Sequence, residues 1–503
     1  MTAKVLMVQG SSSSAGKSLL VTALCRIYAR RGIKVAPFKA QNMSNNAAVC
    51  SDGSEIGRAQ ALQAAAAGIA PTVDMNPVLI KPEADSRSQV ILMGRPWKTL
   101  EAKNYYEKKT ILWENVTTAL DRLRNAYDLI IIEGAGSPAE LNLRAGDIVN
   151  MAVARHAHSP VLLVGDIDRG GIFAQLLGTL WLLEPDERAL VRGFIVNKFR
   201  GDLSLFKDGV DILEQKGDVP VLGVIPYLKN LHLPDEDAVS VEDASRALAL
   251  TPASIIDIAI LALPRIANFD DFDPLKAEPG VRGRYVASVH QLGYPNAIII
   301  PGTKSTIADL EWLRKSGLAE AVTHFAQQGG AVVGICGGYQ MLGESIYDLH
   351  HVESNVDTVS GLGLLPITTQ FLKDKATYQT QAHIHCKDGW MSRLNDSVVS
   401  GYEIHSGETQ TQSSWLEIVY RNGGQVKIAD GSVSPDGKIW GCYLHGIFVN
   451  DEFRHAWLES IGWQNDGRMS SQIESFTQSL DALADAVESA LNMELLEKII
   501  WAN

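Results

Sequence analysis

Short, continuous apolar runs separated by segments of helical periodicity organise the first half of the chain. Val5-Leu6-Met7-Val8 leads into a glycine–serine loop at residues 10–18, and the pattern predicts a helix over residues 19–31. Val116, Leu120, Leu123 and Tyr127 recur at the spacing of one helix face. Further apolar runs follow at residues 129–132, 161–164, 194–196 and 221–224. Runs without alternation, separated by helices, predict a parallel sheet buried on both faces. Chemistry is then expected beyond the carboxyl ends of the strands. Residues 233–251 break the pattern with an acidic stretch, Pro234-Asp235-Glu236-Asp237 and Glu242-Asp243, that has no clear period. A second α/β series starts at Ile255 and includes strands at residues 297–300, 331–335 and 439–444. Beyond Asp451 the chain reads as helical, with Leu480, Leu483, Val487 and Leu491 on one stripe. The expected division is a first domain over 1–232, a linker over 233–251, a second domain over 252–453 and a helical extension over 454–503.

Composition narrows the class. A length of 503 residues exceeds one ordinary core. The net charge of −13 argues against a nucleic-acid partner, which rewards clustered Lys and Arg. Cys25, Cys50, Cys336, Cys386 and Cys442 are scattered and odd in number, which disfavours a disulfide framework and fits a reducing, cytoplasmic setting. The first ten residues read as a buried strand and not as a signal peptide, and no stretch has the length of a membrane span. A homo-oligomer is compatible with this composition.

Two constellations carry chemistry. Residues 10–18, Gly-Ser-Ser-Ser-Ser-Ala-Gly-Lys-Ser, read as a phosphate-binding loop: backbone N–H groups to cradle phosphates, Lys17 to reach the terminal ones, Ser18 to touch Mg²⁺. Gly10, Ser14 and Gly16 shape the loop, which has one residue more than the usual spacing between Gly10 and Gly16. Glu133 ends an apolar strand, where a carboxylate can bind Mg²⁺. Asp166 is a second metal-capable carboxylate, Arg169 an anion-binding cation, and Asn197 is expected to face the nucleotide base. Lys39 precedes a dense run of amides, Gln41-Asn42-Met43-Ser44-Asn45-Asn46, which reads as a loop suited to a substrate rich in carboxylates and amides.

The second constellation centres on Gly334-Ile335-Cys336-Gly337-Gly338-Tyr339-Gln340. A strand turning through glycines into a helix exposes the residue at the turn and aims N–H groups at what it attacks. Cys336 is the candidate nucleophile, and His445 the base that takes its proton. Gly302 and Gly337 can present N–H groups to an oxyanion. Cys442, inside an apolar strand, reads as core, and His383, His385 and Cys386 read as strand residues on the surface.

The extended loop, with Lys39 and Glu133, resembles dethiobiotin synthetase and related ATP-dependent carboxylate-activating enzymes. The Pro-Gly loop at residues 301–302, Cys-Gly-Gly and His445 resemble a class I glutamine amidotransferase, in which Gln340 would belong to the glutamine pocket. Many such domains carry Glu two residues after the histidine, where this chain has Ile447. Together with residues 39–46, 133–140, 165–171 and 402–407, the chain resembles the cobyric acid synthase family, in which the missing Glu is a shared trait. The resemblance implies two doubly wound α/β domains: an N-terminal P-loop parallel-sheet domain and a C-terminal flavodoxin-like amidotransferase domain with a helical tail. It also implies ATP and Mg²⁺ as cofactors, L-glutamine as nitrogen donor, and amidation of the b, d, e and g carboxylates of adenosylcobyrinic acid a,c-diamide. Lys39, Gln41, Asn42, Asn45 and Arg169 are then the expected substrate or phosphoryl contacts. The a,c-diamide synthases of the same pathway are the alternative.

Overall fold

The computed structural model describes residues 2–84, 87–101, 109–228, 233, 255–464 and 472–502. Two compact units are present: residues 1–44, 55–236 and 474–503 form the first, residues 45–54 and 237–473 the second. The division is therefore not linear along the chain. Of the expected linker, only Leu233 lies within the described residues.

In the first unit six parallel strands run in the order Val221–Pro226, Val191–Phe199, Val161–Asp166, Lys4–Gly10, Leu129–Glu133 and Val35–Phe38. The two strands Lys4–Gly10 and Leu129–Glu133 are almost wholly buried, with Leu6 opposite Ile131 and Val8 opposite Glu133. Parallel pairing brings the loops after Gly10, Phe38, Glu133 and Asp166 to one edge of the sheet. The helix Lys17–Arg30 starts earlier than the periodicity predicts, because Gly16 at its N-cap takes the left-handed conformation that lets Lys17 enter the helix at once.

The expected helical extension is divided between the units. Helix Asp451–Ser460 packs Phe453 and Trp457 into the second unit's core. Leu480, Leu483, Val487, Leu491, Leu496 and Ile500, from helices Gln472–Ala490 and Met493–Trp501, join the core of the first unit. Arg26 pairs with Asp481 at 2.8 Å, and the Asn492 N–H donates to the Leu222 carbonyl at 2.7 Å. The tail thus covers the outermost strand, Val221–Pro226, whose open edge would otherwise be a pairing hazard.

The second unit holds five parallel strands in the order Val281–Val286, Ile256–Leu261, Ala297–Ile300, Ala331–Ile335 and Ile439–Cys442, closed by antiparallel Ser432–Val433. A further sheet, which the apolar runs did not predict, comprises Thr358–Ser360, Ser345–Tyr347, Thr368–Ile384, Leu416–Arg421 and Gly424–Asp430, with Val398–Gln410 paired to Thr368–Ile384. Its strands alternate: Thr369, Phe371, Thr380 and Ala382 are buried while Gln370, Gln379 and Gln381 are exposed. One-sided burial leaves no continuous apolar run to detect. The amide run at residues 41–46 is also not simply a loop, since Gln41–Met43 is a strand paired with Val78–Ala84. No helix among the described residues is long and apolar enough to cross a membrane.

Leu483 is 1% exposed in the first unit's core, whereas Leu205 is 84% exposed. Leu483→Ala is expected to cost about 2–5 kcal/mol. Leu205→Ala should stay within about 0.5 kcal/mol. Urea unfolding followed by circular dichroism measures both; equal midpoint shifts would remove the tail from the core.

Candidate active site

The first unit gathers its polar groups at the sheet edge. Ser14 and Gly16 take left-handed backbone angles in the loop after Gly10, and a side chain at Gly16 would strike the Asn197 carboxamide. Asn197 Nδ2 donates to the Ala15 carbonyl at 2.9 Å and Lys198 Nζ to the Ser14 carbonyl at 2.7 Å, so the end of strand Val191–Phe199 braces the loop from outside. Asn197 is thus engaged by the loop backbone. Lys17 Nζ donates to the carbonyls of Ser12 and Gly136, at 3.0 and 3.1 Å. At Gly10 an added Cβ would come within 2.8 Å of that ammonium.

Glu133 is the convergence point. Its Oε1 accepts from Ser18 Oγ at 2.9 Å and Lys39 Nζ at 2.7 Å, and its Oε2 from Gln63 Nε2. The carboxylate is fully buried, a costly state unless paired and hydrogen-bonded. Asp166, at its own strand end, accepts from Lys198 Nζ at 2.9 Å, and Arg169 reaches it at 3.7 Å with a largely exposed side chain. Gln41, Lys109, Gly136, Ser137, Arg144 and Asn150 line a cavity beside this edge. The amide run is split. Gln41 lines that cavity, Asn42 Nδ2 donates to Gln60 Oε1 at 3.1 Å, and Asn45 belongs to the second unit.

In the second unit Cys336 sits between strand Ala331–Ile335 and helix Gly337–Leu342 at φ 51°, ψ −109°. That strained, non-glycine geometry costs on the order of 1–3 kcal/mol and holds the sulfur at the turn. At Gly338 an added Cβ would collide with the Ile300 carbonyl, so only glycine lets the turn close on its neighbour. His445 is brought in after strand Ile439–Cys442. Its Nδ1 lies 2.7 Å from Asp271 Oδ2, while Asp271 Oδ1 accepts from the Gly446 N–H at 2.9 Å. Burial opposes charge on the ring. The Asp271 carboxylate, and the Cys336 sulfur that hydrogen-bonds the histidine, outweigh that burial and push the His445 pKa up to about 10. With Nδ1 committed to Asp271, Nε2 is left for the sulfur. An added Cβ at Gly302 would lie 3.0 Å from His445 Cε1 and 3.7 Å from Cys336 Cβ, so this glycine keeps the space between them open.

The strand Val398–Gln410 forms the opposite wall. Tyr402 stacks on the His445 ring at 5.2 Å between centroids, and Cys336 Sγ lies 3.6 Å from the Ile404 carbonyl. Gln340 is buried, its Oε1 accepting from Thr306 Oγ1 at 2.9 Å and its Nε2 donating to the Tyr443 hydroxyl at 3.2 Å. Burial opposes the Glu403 charge behind this wall, but His405 and Arg421 hold its carboxyl down at about 2.

Asp271, Gln63, Thr306 and Tyr443 were missed in the sequence. Asp271 lies in Asn268-Phe269-Asp270-Asp271-Phe272, a short helical turn of the first strand's connection, and carries no motif around it. The sequence carries a negative signal: Ile447 stands where many amidotransferases have a carboxylate, so the histidine's partner comes from elsewhere in the chain. Ile447 is buried among apolar residues of the core.

Comparison with known proteins finds two family models, one in each half of the chain. The profile described as CobQ/CobB/MinD/ParA nucleotide binding domain matches residues 6–241, and that of the CobB/CobQ-like glutamine amidotransferase domain matches residues 257–453. Curated relatives named cobyric acid synthase align over essentially their whole lengths. The protein of Chloroflexus aggregans is 56% identical over 502 residues, covering 99% of each chain. That of Chloroflexus aurantiacus is 54% identical over 503 residues, covering 99% of this chain and 100% of the relative. That of Herpetosiphon aurantiacus is 53% identical over 503 residues, covering 99% of each. With a nucleotide-binding edge in one unit, a cysteine–histidine–aspartate constellation in the other, and identity above half sustained from end to end, the chain belongs to the cobyric acid synthase family.

Proposed function

We propose that this protein amidates carboxylates of a corrinoid in cobalamin biosynthesis, using ATP to activate each carboxylate and glutamine to supply the nitrogen. The Cys336–His445–Asp271 geometry is the observation that carries the reading for the glutaminase half. End-to-end relatedness to cobyric acid synthases favours four amidations, at the b, d, e and g positions of adenosylcobyrinic acid a,c-diamide, over the earlier a,c-diamide step.

The Cys336 thiolate attacks the side-chain carboxamide of glutamine, and His445 protonates the departing nitrogen so that ammonia leaves and a thioester remains. Water, deprotonated by the same imidazole, releases glutamate and restores the thiol. The N–H of Gly337, at the start of its helix and without an intrahelical acceptor, and the N–H of Gly302 would receive the oxyanion. Gln340, held by Thr306 and Tyr443, shapes the glutamine pocket.

In the other half, a substrate carboxylate oxygen attacks the γ-phosphorus of ATP and ADP leaves. Ammonia then attacks the acyl phosphate and inorganic phosphate leaves. The loop from Gly10 through Ser14 to Gly16, with Lys17, would hold the phosphates, braced by Asn197; Lys39 would neutralise the transferred phosphoryl. Ser18, Glu133 and Asp166 offer hard oxygen donors that fit Mg²⁺, which would neutralise phosphate charge. Gln41, Asn42 and Arg169, all of the first unit, are assigned to the corrinoid periphery.

Cys336→Ala is expected to lose glutamine-driven amidation by about a thousandfold or more while retaining synthesis with high ammonium. Lys17→Ala should lose both. Product formation with each nitrogen source is the measurement. An intact glutamine-driven rate in Cys336→Ala removes the nucleophile assignment, and intact synthesis in Lys17→Ala removes the nucleotide site.

Asp271 makes a separate prediction through pH. The folded pKa of His445 is raised from 6.5 to about 10, so the stability it contributes is complete below 6.5 and is lost as pH rises through about 10. The stability difference between the protein and Asp271→Asn should therefore be largest near pH 6 and shrink toward pH 10. Denaturant titrations across that range test it; a constant difference would mean that Asp271 does not charge the ring.

A further inference from the structure

Two side chains at the carboxyl edge of the first unit's sheet are exposed yet closely stacked, and the chemistry above uses neither. The Arg200 guanidinium carbon lies 3.4 Å from the centre of the Tyr227 ring. Arg200 stands just past strand Val191–Phe199, and Tyr227 just past strand Val221–Pro226. The Tyr227 N–H donates to the Phe199 carbonyl at 2.8 Å, which ties the two strand ends together. A third strand end orients the guanidinium: Arg200 Nε donates to Asp168 Oδ1 at 2.7 Å and Nη2 to Asp168 Oδ2 at 3.3 Å. The Arg200 side chain is 48% exposed and Tyr227 is 38% exposed. Ordering such side chains costs rotamer entropy that core packing does not return here.

The pairing indicates what this surface can bind. A guanidinium whose fork is filled by a carboxylate has its charge balanced, so it is a poor site for a further anion. What it leaves open is a flat face. Guanidinium and phenol planes are surfaces on which aromatic bases stack. Position agrees with this chemistry. Asn197 and Lys198, just before Arg200 in the chain, hold the phosphate loop through the carbonyls of Ala15 and Ser14. In the sheet, Glu133 and Lys39 lie to one side of strand Lys4–Gly10, and Asp168, Arg200 and Tyr227 to the other. The reading above places Mg²⁺ and the transferred phosphoryl on the Glu133 side, so the base end of the nucleotide extends to the opposite side. At the usual strand spacing the ends at Phe199 and Pro226 lie about 10 and 14 Å across from the loop's own strand.

We propose that Tyr227 and Arg200 form the platform on which the base of ATP stacks, with Asp168 as the positioning residue that holds the guanidinium plane. The pair takes the base contact that the sequence suggested for Asn197, whose Nδ2 is committed to the loop. Stacking tolerates any aromatic base, so the platform contributes affinity and not choice among bases. The inference rests on the nucleotide-site reading given above.

Calorimetric titration of the full chain with ATP and, separately, with inorganic tripolyphosphate, both with Mg²⁺, tests it. Tripolyphosphate carries the phosphates without a base. The unmodified protein is expected to bind ATP more tightly than tripolyphosphate. Tyr227→Ala should raise the Kd for ATP about tenfold or more and leave that for tripolyphosphate unchanged. Tyr227→Phe keeps the ring and should keep the affinity for ATP. Arg200→Lys keeps the charge but not the plane, and should weaken ATP alone. A Kd for ATP that stays unchanged in both Tyr227→Ala and Arg200→Lys overturns the proposal. Equal weakening of ATP and tripolyphosphate also overturns it, because the loop and not a base contact would then have been disturbed. Should Tyr227→Ala fail to fold, Arg200→Lys decides alone by the same comparison. If the unmodified protein binds neither compound, the failure lies in the nucleotide-site reading and this inference falls with it.

Discussion

The buried contact between His445 Nδ1 and Asp271, 2.7 Å long, is the interaction on which the second unit's chemistry depends. A charged imidazole inside a core is unfavourable by itself; a carboxylate at hydrogen-bond distance reverses the balance and leaves Nε2 directed at Cys336. Asp271 also fixes the backbone of Gly446, so one side chain sets both the charge and the position of the ring. Tyr402 completes the arrangement from the opposite face. An aspartate from one connection thus does the work that a glutamate two residues past the histidine does in many amidotransferases, and Ile447 is freed to join the core.

The same economy governs the first unit. There Glu133 is the buried charge, and Ser18, Lys39 and Gln63 satisfy it from separate elements. Parallel strands make both arrangements possible. They bring loops distant in sequence to one edge and point the helix N-termini there, where anions and developing negative charge are stabilised. Forming an amide from a carboxylate requires an activated acyl group and an unprotonated nitrogen. Each unit supplies one of these at its sheet edge.

Legibility followed the form of each signal. Continuous apolar runs made both parallel sheets readable, and glycine spacing made the phosphate loop and the Cys336 turn readable, because a strand buried on both faces and a left-handed turn leave direct marks on composition. The sheet around Thr368–Ile384 was not readable: it is buried on one face, and its Gln, Lys and Asp positions dilute every apolar window. The tail's apolar stripe was visible in Leu480, Leu483 and Val487, but an amphipathic face does not say which core it joins, and these residues pack in the first unit. Asp271 and Asn268 were beyond reach for a different reason. Both contact His445 from more than 170 positions away in the chain, a pairing created only by the fold. The segment 45–54 illustrates the same limit, since nothing in its composition separates it from the unit on either side of it.

The central claim is that nitrogen freed at Cys336 is joined to carboxylates activated in the same protein. Supplying glutamine labelled with ¹⁵N at its side-chain amide, together with unlabelled ammonium, ATP and adenosylcobyrinic acid a,c-diamide, and weighing the corrinoid product tests it most directly. The account predicts a product carrying four new amides, all of them labelled. A product with fewer new amides at completion, or with four amides bearing nitrogen from the unlabelled ammonium, would contradict it.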